Sequence, residues 1–210
     1  MSMHAERRIL ACGAHPDDIE IGCSGTLLKL IDGGAKVWLY IATGGERGGQ
    51  AEQRRREAER AAEAMGAQQI VWGGFTDCEI PHTVELIESI ESAVKIAQPD
   101  AIFTHYTDDT HQDHRGVGVA TQSAARRVPN FLFYESPTTQ HFQPTSFVDI
   151  GSTILRKLEL LELHASQVAR TNIESLPITD IARAAAIRRG IEVFCKYAEA
   201  FLPTRTMLIT

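Results

Sequence analysis

Two short segments of the chain carry histidine and aspartate at close spacing: His15-Pro16-Asp17-Asp18 and His111-Gln112-Asp113-His114. A catalytic zinc ion takes three protein ligands of these types and keeps a further position open for water. His15 and Asp18 are close enough in a turn to point at one ion, and His114 could complete the set from the second segment. The spacing therefore predicts a metal site shared by both segments.

The remaining polar side chains of the two segments match the other parts of a hydrolytic site. Asp17 would lie beside the open position, where a carboxylate can take a proton from water as general base. His111 could reach the far side of the same opening and stabilise an oxyanion as an imidazolium, with Asp113 orienting it. These residue types indicate metal-assisted hydrolysis of an amide or ester.

Apolar runs alternate with helical patterns over the first two thirds of the chain. Since strands that alternate with helices form parallel sheets covered on both sides, the sequence predicts a Rossmann-like, doubly wound α/β fold. The predicted strands are Ile9–Gly13, Val37–Ala42, Ile70–Trp72, Ala101–Thr104 and Phe131–Tyr134. The predicted helices are Gly25–Asp32, Ala51–Met65, Val84–Ala97 and His114–Arg127.

This order of elements also predicts where the two segments lie. The first follows strand one and the second follows strand four. In the common doubly wound order 3-2-1-4-5 these strands are neighbours, and ligands bind at their carboxyl ends. The two segments should therefore face each other.

The pattern is less regular after Pro144. We expect a strand near Phe147–Ile150, helices near Ser152–Leu163 and Ile178–Ala200, and a last edge strand at Thr206–Ile209. No linker or internal repeat divides the chain, so residues 1–210 are predicted to form a single domain.

Bulk properties exclude several classes of function. A net charge of −6 disfavours nucleic-acid and anionic-membrane partners. No apolar stretch reaches the roughly 18 residues of a membrane span, and no signal-peptide pattern opens the chain, so we expect a cytoplasmic protein. The four cysteines show no CxxC pairing and are expected to be buried free thiols, neither bridged nor ligands.

The chain resembles the LmbE-like, PIG-L-type N-acetylglucosaminyl deacetylases. The motifs that carry the resemblance are AHPDD at 14–18, the glycine-rich loop at 43–48, R-x-x-E from Arg54 with Met65-Gly66, HxDH at 111–114 and H-x-S-Q at 164–167. They occur in the family's order over about four fifths of the chain.

The resemblance implies one zinc ion per chain, held by His15, Asp18 and His114, and an N-acetylated amino sugar as the small-molecule substrate. It also implies that Asp17 is the general base, while His111 acts as acid or oxyanion partner with Asp113 behind it. Arg54 and Asp77 match positions at which the family contacts the sugar. The family's habit of assembling implies a homo-oligomer.

Several interpretations stay open at this point. His105 is expected to pack beneath the loop, and Asp108 and Asp109 to form turns or caps. His164 is equally consistent with a structural hydrogen bond and a substrate contact. Two histidines and one carboxylate are also the ligand set of non-haem iron enzymes. The same residues are compatible with hydrolysis of another small amide and with a non-enzymatic metal-binding role.

Overall fold

The computed structural model describes residues 7–80, 82–171 and 173–207. Within these residues one sheet of seven strands runs in the order β3-β2-β1-β4-β5-β7-β6. All pairs from β3 to β5 are parallel, and β7 is antiparallel to both of its neighbours. The strands are β1 Arg8–Gly13, β2 Lys36–Thr43, β3 Gln69–Phe75, β4 Ala101–His105, β5 Asn130–Tyr134, β6 Ser146–Asp149 and β7 Ala198–Arg205. The predicted doubly wound order of the first five strands is confirmed.

Helices cover both faces of the sheet, as predicted. Successive side chains of a strand point to opposite faces, so β1 sends Leu10 and Cys12 into one apolar cluster and Ile9 and Ala11 into the other. The first cluster packs under the helices at Val84–Ala97 and Gln112–Ala124, and the second under those at Asp18–Asp32, Ala51–Met65 and Ile154–Leu163. The helices are α1 Asp18–Asp32, α2 Ala51–Met65, α3 Val84–Ala97, α4 Gln112–Ala124, α5 Ile154–Leu163 and α6 Ile178–Glu192.

The structure corrects the sequence-based prediction at the C-terminal end. The helix expected to reach Ala200 ends at Glu192, and β7 follows it inside the sheet, between β5 and β6. The edge strand expected at Thr206–Ile209 is wrong as well: Thr206 and Met207 lie in no strand, and the rest of that stretch lies outside the described residues. A short apolar run fits helix and strand alike, and only pairing with distant strands decides between them.

Gly190 explains how the chain turns from α6 towards β7. A side chain at this position would overlap the backbone of Cys195 and Lys196, which folds back over the helix end. The Cys195 N–H donates to the Gly190 carbonyl at 3.0 Å.

None of the helices in the described part of the chain is long and apolar enough to cross a membrane. The predicted location and assembly of the chain stay predictions.

Close packing of α1 on β5 sets the position of the first motif. Gly22 of α1 lies directly against the ring of the buried Tyr134, whose hydroxyl donates to the Cys12 carbonyl of β1 at 2.8 Å. A methyl group at Gly22 would overlap this ring. Because α1 begins at Asp18, the fit of this glycine fixes where a predicted ligand stands.

We expect Gly22→Ala to lower the free energy of unfolding measured in urea. Overpacking costs about 1–3 kcal/mol, more than the ~0.5–1 kcal/mol that alanine gains over glycine in a helix. Gly116→Ala in α4 is the matched control, since its new methyl would meet His82 atoms no closer than 3.5 Å, an ordinary contact. Equal stability of both variants would show that Gly22 is not closely packed.

Candidate metal centre

The two histidine and aspartate segments meet at the carboxyl ends of β1 and β4. These strands are direct neighbours, with Cys12 paired to Thr104. The first segment leads from β1 into α1, and the second leads into α4. The ligand atoms of His15, Asp18 and His114 all lie within 4.8 Å of one another, and the three side chains are buried. The structure thus brings together the three residues predicted to bind the metal.

The Asp18 carboxylate occupies the centre of this cluster. Its Oδ2 atom accepts hydrogen bonds from the backbone N–H groups of Ala14 at 3.0 Å and His15 at 2.7 Å, and it lies 3.0 Å from His105 Nε2. Its other oxygen, Oδ1, lies 3.4 Å from His114 Nε2. Oδ2 is therefore held by the protein beside His15 Nδ1, 3.4 Å away, while Oδ1 lies towards His114.

Each of the two predicted histidine ligands is fixed by carboxylates on its outer side. His15 has Nδ1 at 3.4 Å from Asp18 and turns Nε2 to Asp77 at 3.0 Å and Asp113 at 3.1 Å. His114 turns Nδ1 to Asp109 at 3.2 Å. Metal-binding histidines commonly place their second ring nitrogen against a carboxylate, which fixes ring orientation and tautomer.

The electrostatics of the cluster favour a cation at its centre. Burial lowers the pKa of His114, but Asp18 and Asp109 outweigh burial and bring this pKa to about 9. Burial raises the pKa of Asp18, yet His114 and His105 hold it well below its usual range. The groups that favour a proton on the imidazole would equally favour a divalent ion. Two imidazole nitrogens and one carboxylate oxygen fit zinc, and also iron(II).

Asp17 projects beside the cluster from a strained backbone. Its φ of 100° lies in the left-handed region, which costs a non-glycine residue about 1–3 kcal/mol and is concentrated at functional sites. Burial raises the pKa of Asp17 to about 6, while the Arg54 guanidinium, 3.5 Å away, opposes the rise. A carboxyl group with a pKa near neutrality is suited to accept a proton.

His111 lies in the predicted place, but its contacts differ from those predicted. Its ring lies 4.7 Å from that of His15 and 4.6 Å from that of His114. Burial lowers its pKa, and the charges of His15 and His114 lower it further. Its Nδ1 accepts a hydrogen bond from the Asp113 backbone N–H at 3.2 Å, which an imidazolium could not do. This contact favours a ring with its proton on Nε2, and the predicted action of His111 as an imidazolium stays a prediction.

Asp113 is also corrected in its contact. Its buried carboxylate does not orient His111 but lies against His15 and accepts a bond from the Cys78 N–H at 2.7 Å. Instead, the backbone N–H of Asp113, in the first turn of α4, donates a hydrogen bond to His111 Nδ1. The catalytic part assigned to Asp113 stays a prediction.

The two predicted sugar contacts, Arg54 and Asp77, are both buried. Arg54 donates to the carbonyls of Gly45 at 2.8 Å and Pro16 at 2.7 Å, and so ties the glycine-rich loop to the first segment. Asp77 lies beside His15 and accepts from the Arg47 N–H at 2.9 Å. Both are placed to support the cluster, and their contact with a sugar stays a prediction.

Two supporting residues could be recognised only in part from sequence. Asp109 accepts from the His111 N–H at 2.8 Å, as a residue predicted to form a turn or cap can do, but its second oxygen also serves His114. His105 lies beneath the loop, as expected, and there it also contacts Asp18 and stacks on His114 with ring centroids 4.0 Å apart. His105 is the last residue of β4 and Asp109 follows four residues later, so their position at the carboxyl end of this strand is the signal that could have assigned them to the site.

His164 lies on the inner side of the first segment. It is 1% exposed, and its Nε2 lies 3.6 Å from the Glu20 carboxylate of α1. Two residues on, the Ser166 hydroxyl donates to Glu57 of α2 at 2.6 Å. Ser166 thus connects the H-x-S-Q segment to α2, whereas neither ring nitrogen of His164 has a hydrogen-bond partner among the described residues. Both interpretations of His164 stay open.

The comparison with protein families agrees with these motifs. Residues 10–125, which contain both segments, match the family described as "PIG-L: GlcNAc-PI de-N-acetylase". The chain belongs to the PIG-L family. This confirms the resemblance drawn from the motifs.

Other members of the PIG-L family resemble this chain over most of its length. It is 32% identical over 174 residues to the "Uncharacterized deacetylase YaiS" of Escherichia coli (strain K12), which covers 79% of this chain and 94% of that protein. It is 30% identical over 187 residues to the "Diacetylchitobiose deacetylase" of Thermococcus kodakarensis, covering 77% of this chain and 70% of that one.

The fold of this PIG-L family member is shared more widely. Its structure matches that of GalB, the 4-carboxy-2-hydroxymuconate hydratase from Pseudomonas putida KT2440, with a TM-score of 0.84 at 19% identity over 97% of this chain and 98% of that one. A fold shared with a hydratase does not by itself determine the reaction. The function of this PIG-L protein must therefore be inferred from its site.

We expect Asp109→Asn to weaken metal binding without unfolding this PIG-L domain. The amide cannot stabilise the His114 ring as the carboxylate does, and loss of such an outer partner lowers metal affinity roughly 10- to 100-fold. Competition with a chelating dye measures the affinity. The control is Asp108→Asn, which removes the adjacent exposed carboxylate that pairs with His141 at 2.9 Å. A similar loss in both variants would show a general charge effect instead.

Proposed function

We propose that this chain is a zinc-dependent hydrolase that removes the acetyl group from an N-acetylated amino sugar. In this proposal His15, Asp18 and His114 hold one zinc ion per chain, Asp17 is the general base, and His111 stabilises charge on the acetamide oxygen. Relatives in the same family are named deacetylases, which supports the reaction class.

One observation carries the proposal. The three ligand atoms converge within 4.8 Å in a chain of the PIG-L family, and a raised-pKa carboxylate, Asp17, stands directly before the ligand Asp18. A site that only stored a metal would have no need of a strained aspartate at this position. A hydrolase needs a base there, to take the proton of the attacking water.

Zinc, when bound, would polarise the acetamide carbonyl and lower the pKa of water. Asp17 takes the proton from the water as its oxygen attacks the carbonyl carbon. Arg54 stays 3.5 Å from Asp17 and donates to the Pro16 carbonyl, so it holds the base in place while the carboxyl group changes charge. The strained backbone of Asp17 is thereby stabilised by a residue of α2.

His111 acts on the other side of the substrate. With Nδ1 occupied by the Asp113 N–H, its Nε2–H is the free donor, and it stabilises negative charge that develops on the carbonyl oxygen. The leaving nitrogen must gain a proton as the C–N bond breaks. Asp17, which has just accepted one, can return it. His111 is the alternative donor only as an imidazolium, because a neutral ring that lost its Nε2 proton would become an imidazolate.

The substrate class is proposed from the relatives and the rim of the site. Relatives are named for diacetylchitobiose and for N-acetyl-α-D-glucosaminyl L-malate, both of which contain N-acetylglucosamine. The rim segment, residues 136–143, is hydrogen-bonded to the loop between β4 and α4. The Thr110 N–H donates to the Thr138 carbonyl at 3.1 Å, and the Gln140 N–H donates to the Asp108 carbonyl at 2.9 Å. Polar groups at Thr138, Thr139, Gln140 and His141 suit a hydroxylated sugar, with Arg54 and Asp77 as further proposed contacts.

The test is amine release from N-acetylglucosamine, its malate conjugate and diacetylchitobiose, using protein of measured metal content. Wild-type protein with one zinc ion should release amine and acetate in equal amounts. Asp17→Asn should keep its zinc and lose activity roughly 10²- to 10⁴-fold, because the base is gone while the ligands remain.

A matched control is Asp32→Asn, an exposed aspartate at the far end of α1 that pairs with Arg156. It should retain full activity. Asp17→Asn with full activity would remove the base from the proposal. Iron in place of zinc in the active protein would favour the iron enzyme, and amine release only from acetamides without a sugar would favour another small amide as substrate.

A further inference from the structure

A second group of possible metal ligands lies at the mouth of the site. The ligand atoms of Asp77, Cys78 and Asp113 lie within 4.8 Å of one another. None of these residues belongs to the His15, Asp18 and His114 set. Cys78, predicted to be a buried thiol without a ligand role, is instead exposed, and so is open to ions from solvent.

The two carboxylates of this group are unusual in being buried. Asp77 is 3% exposed and Asp113 is fully buried. Asp113 Oδ1 has no hydrogen-bond partner among the described residues. Burying a carboxylate oxygen without a hydrogen-bond partner lowers the stability of the folded protein. Asp113 therefore has one carboxylate oxygen free to bind a cation.

The thiol already points into the group. Cys78 Sγ lies 3.4 Å from Asp77 Oδ1, and its backbone N–H donates to Asp113 Oδ2 at 2.7 Å. One sulfur and two carboxylate oxygens suit a borderline-soft ion such as Zn²⁺ or Cd²⁺ and are a poor set for Mg²⁺ or Ca²⁺, which prefer oxygen alone.

We propose that Asp77, Cys78 and Asp113 form a second, regulatory site for a zinc-type divalent ion, and that its occupation inhibits the enzyme. Binding releases the thiol proton to solvent as the metal–sulfur bond forms. The ion takes the carboxylates that now orient His15 Nε2, and it adds positive charge beside His111. The inhibitory part rests on the proposed function, whereas the binding part does not.

The experiment uses the full chain, stripped of metal and reloaded with one equivalent of zinc, and then titrated with Cd²⁺. A thiolate-to-cadmium absorption band in the ultraviolet should grow to saturation as a second ion binds. The histidine and aspartate site contains no sulfur, so replacement of its zinc by cadmium would not produce this band. Amine release should fall over the same range of Cd²⁺, and excess Zn²⁺ should act in the same way.

Cys78→Ser should lose the band, the second ion and the inhibition, while it retains activity with one zinc. Cys195→Ser is the matched control, because Cys195 is the other partly accessible cysteine, and it should behave as wild type. Absence of a band in wild type, or its persistence in Cys78→Ser, overturns the proposal. A saturating band in a protein that releases no amine from any substrate would leave the cation site standing and refute the deacetylase function instead.

Discussion

The site depends on keeping one charged carboxylate, Asp18, buried at the edge of the sheet. An isolated buried carboxylate is strongly disfavoured. Here two backbone N–H groups and His105 stabilise one side of it, and the positive end of α1, in whose first turn Asp18 lies, adds to their effect. This is possible only where β1 and β4 are neighbours, because His105 comes from the end of β4 and the N–H groups from the end of β1. The packing of α1, through Gly22 against Tyr134, also helps to place this carboxylate, since it sets where the helix begins.

A second layer of carboxylates surrounds the histidines. Asp77 and Asp113 face His15, and Asp109 faces His114. So much negative charge in a buried place would be unstable without cations, which explains why the pKa of His114 is raised and why the cluster fits a metal ion. The same surplus extends past His15 to Cys78. Ion binding for catalysis and ion binding for inhibition would thus arise from one feature of the site, its excess of carboxylates over protein cations.

The fold of this chain does not identify its reaction, whereas the residues of its site indicate one. The sheet is shared with proteins that perform other reactions, including a hydratase. What distinguishes a hydrolytic site is the combination of an open ligand set, a base beside it and a donor for the oxyanion. In the proposed function Asp17 is that base and His111 is that donor, and both are held by neighbouring backbone and side chains.

The sequence by itself determined the residue types of the candidate metal centre and the order of the motifs. It also determined the first five strands, because local periodicity reports which face of each element is buried. It also placed both motifs at neighbouring strand ends. Only the tertiary structure decided that the Asp113 carboxylate faces His15, that His111 Nδ1 faces the Asp113 N–H, that Cys78 is exposed, and that Ala198–Arg205 is a strand. Each of these depends on which distant segment comes to lie beside a residue. Contacts between residues far apart in the chain leave no periodic trace in the sequence, so they appear only when the chain has folded.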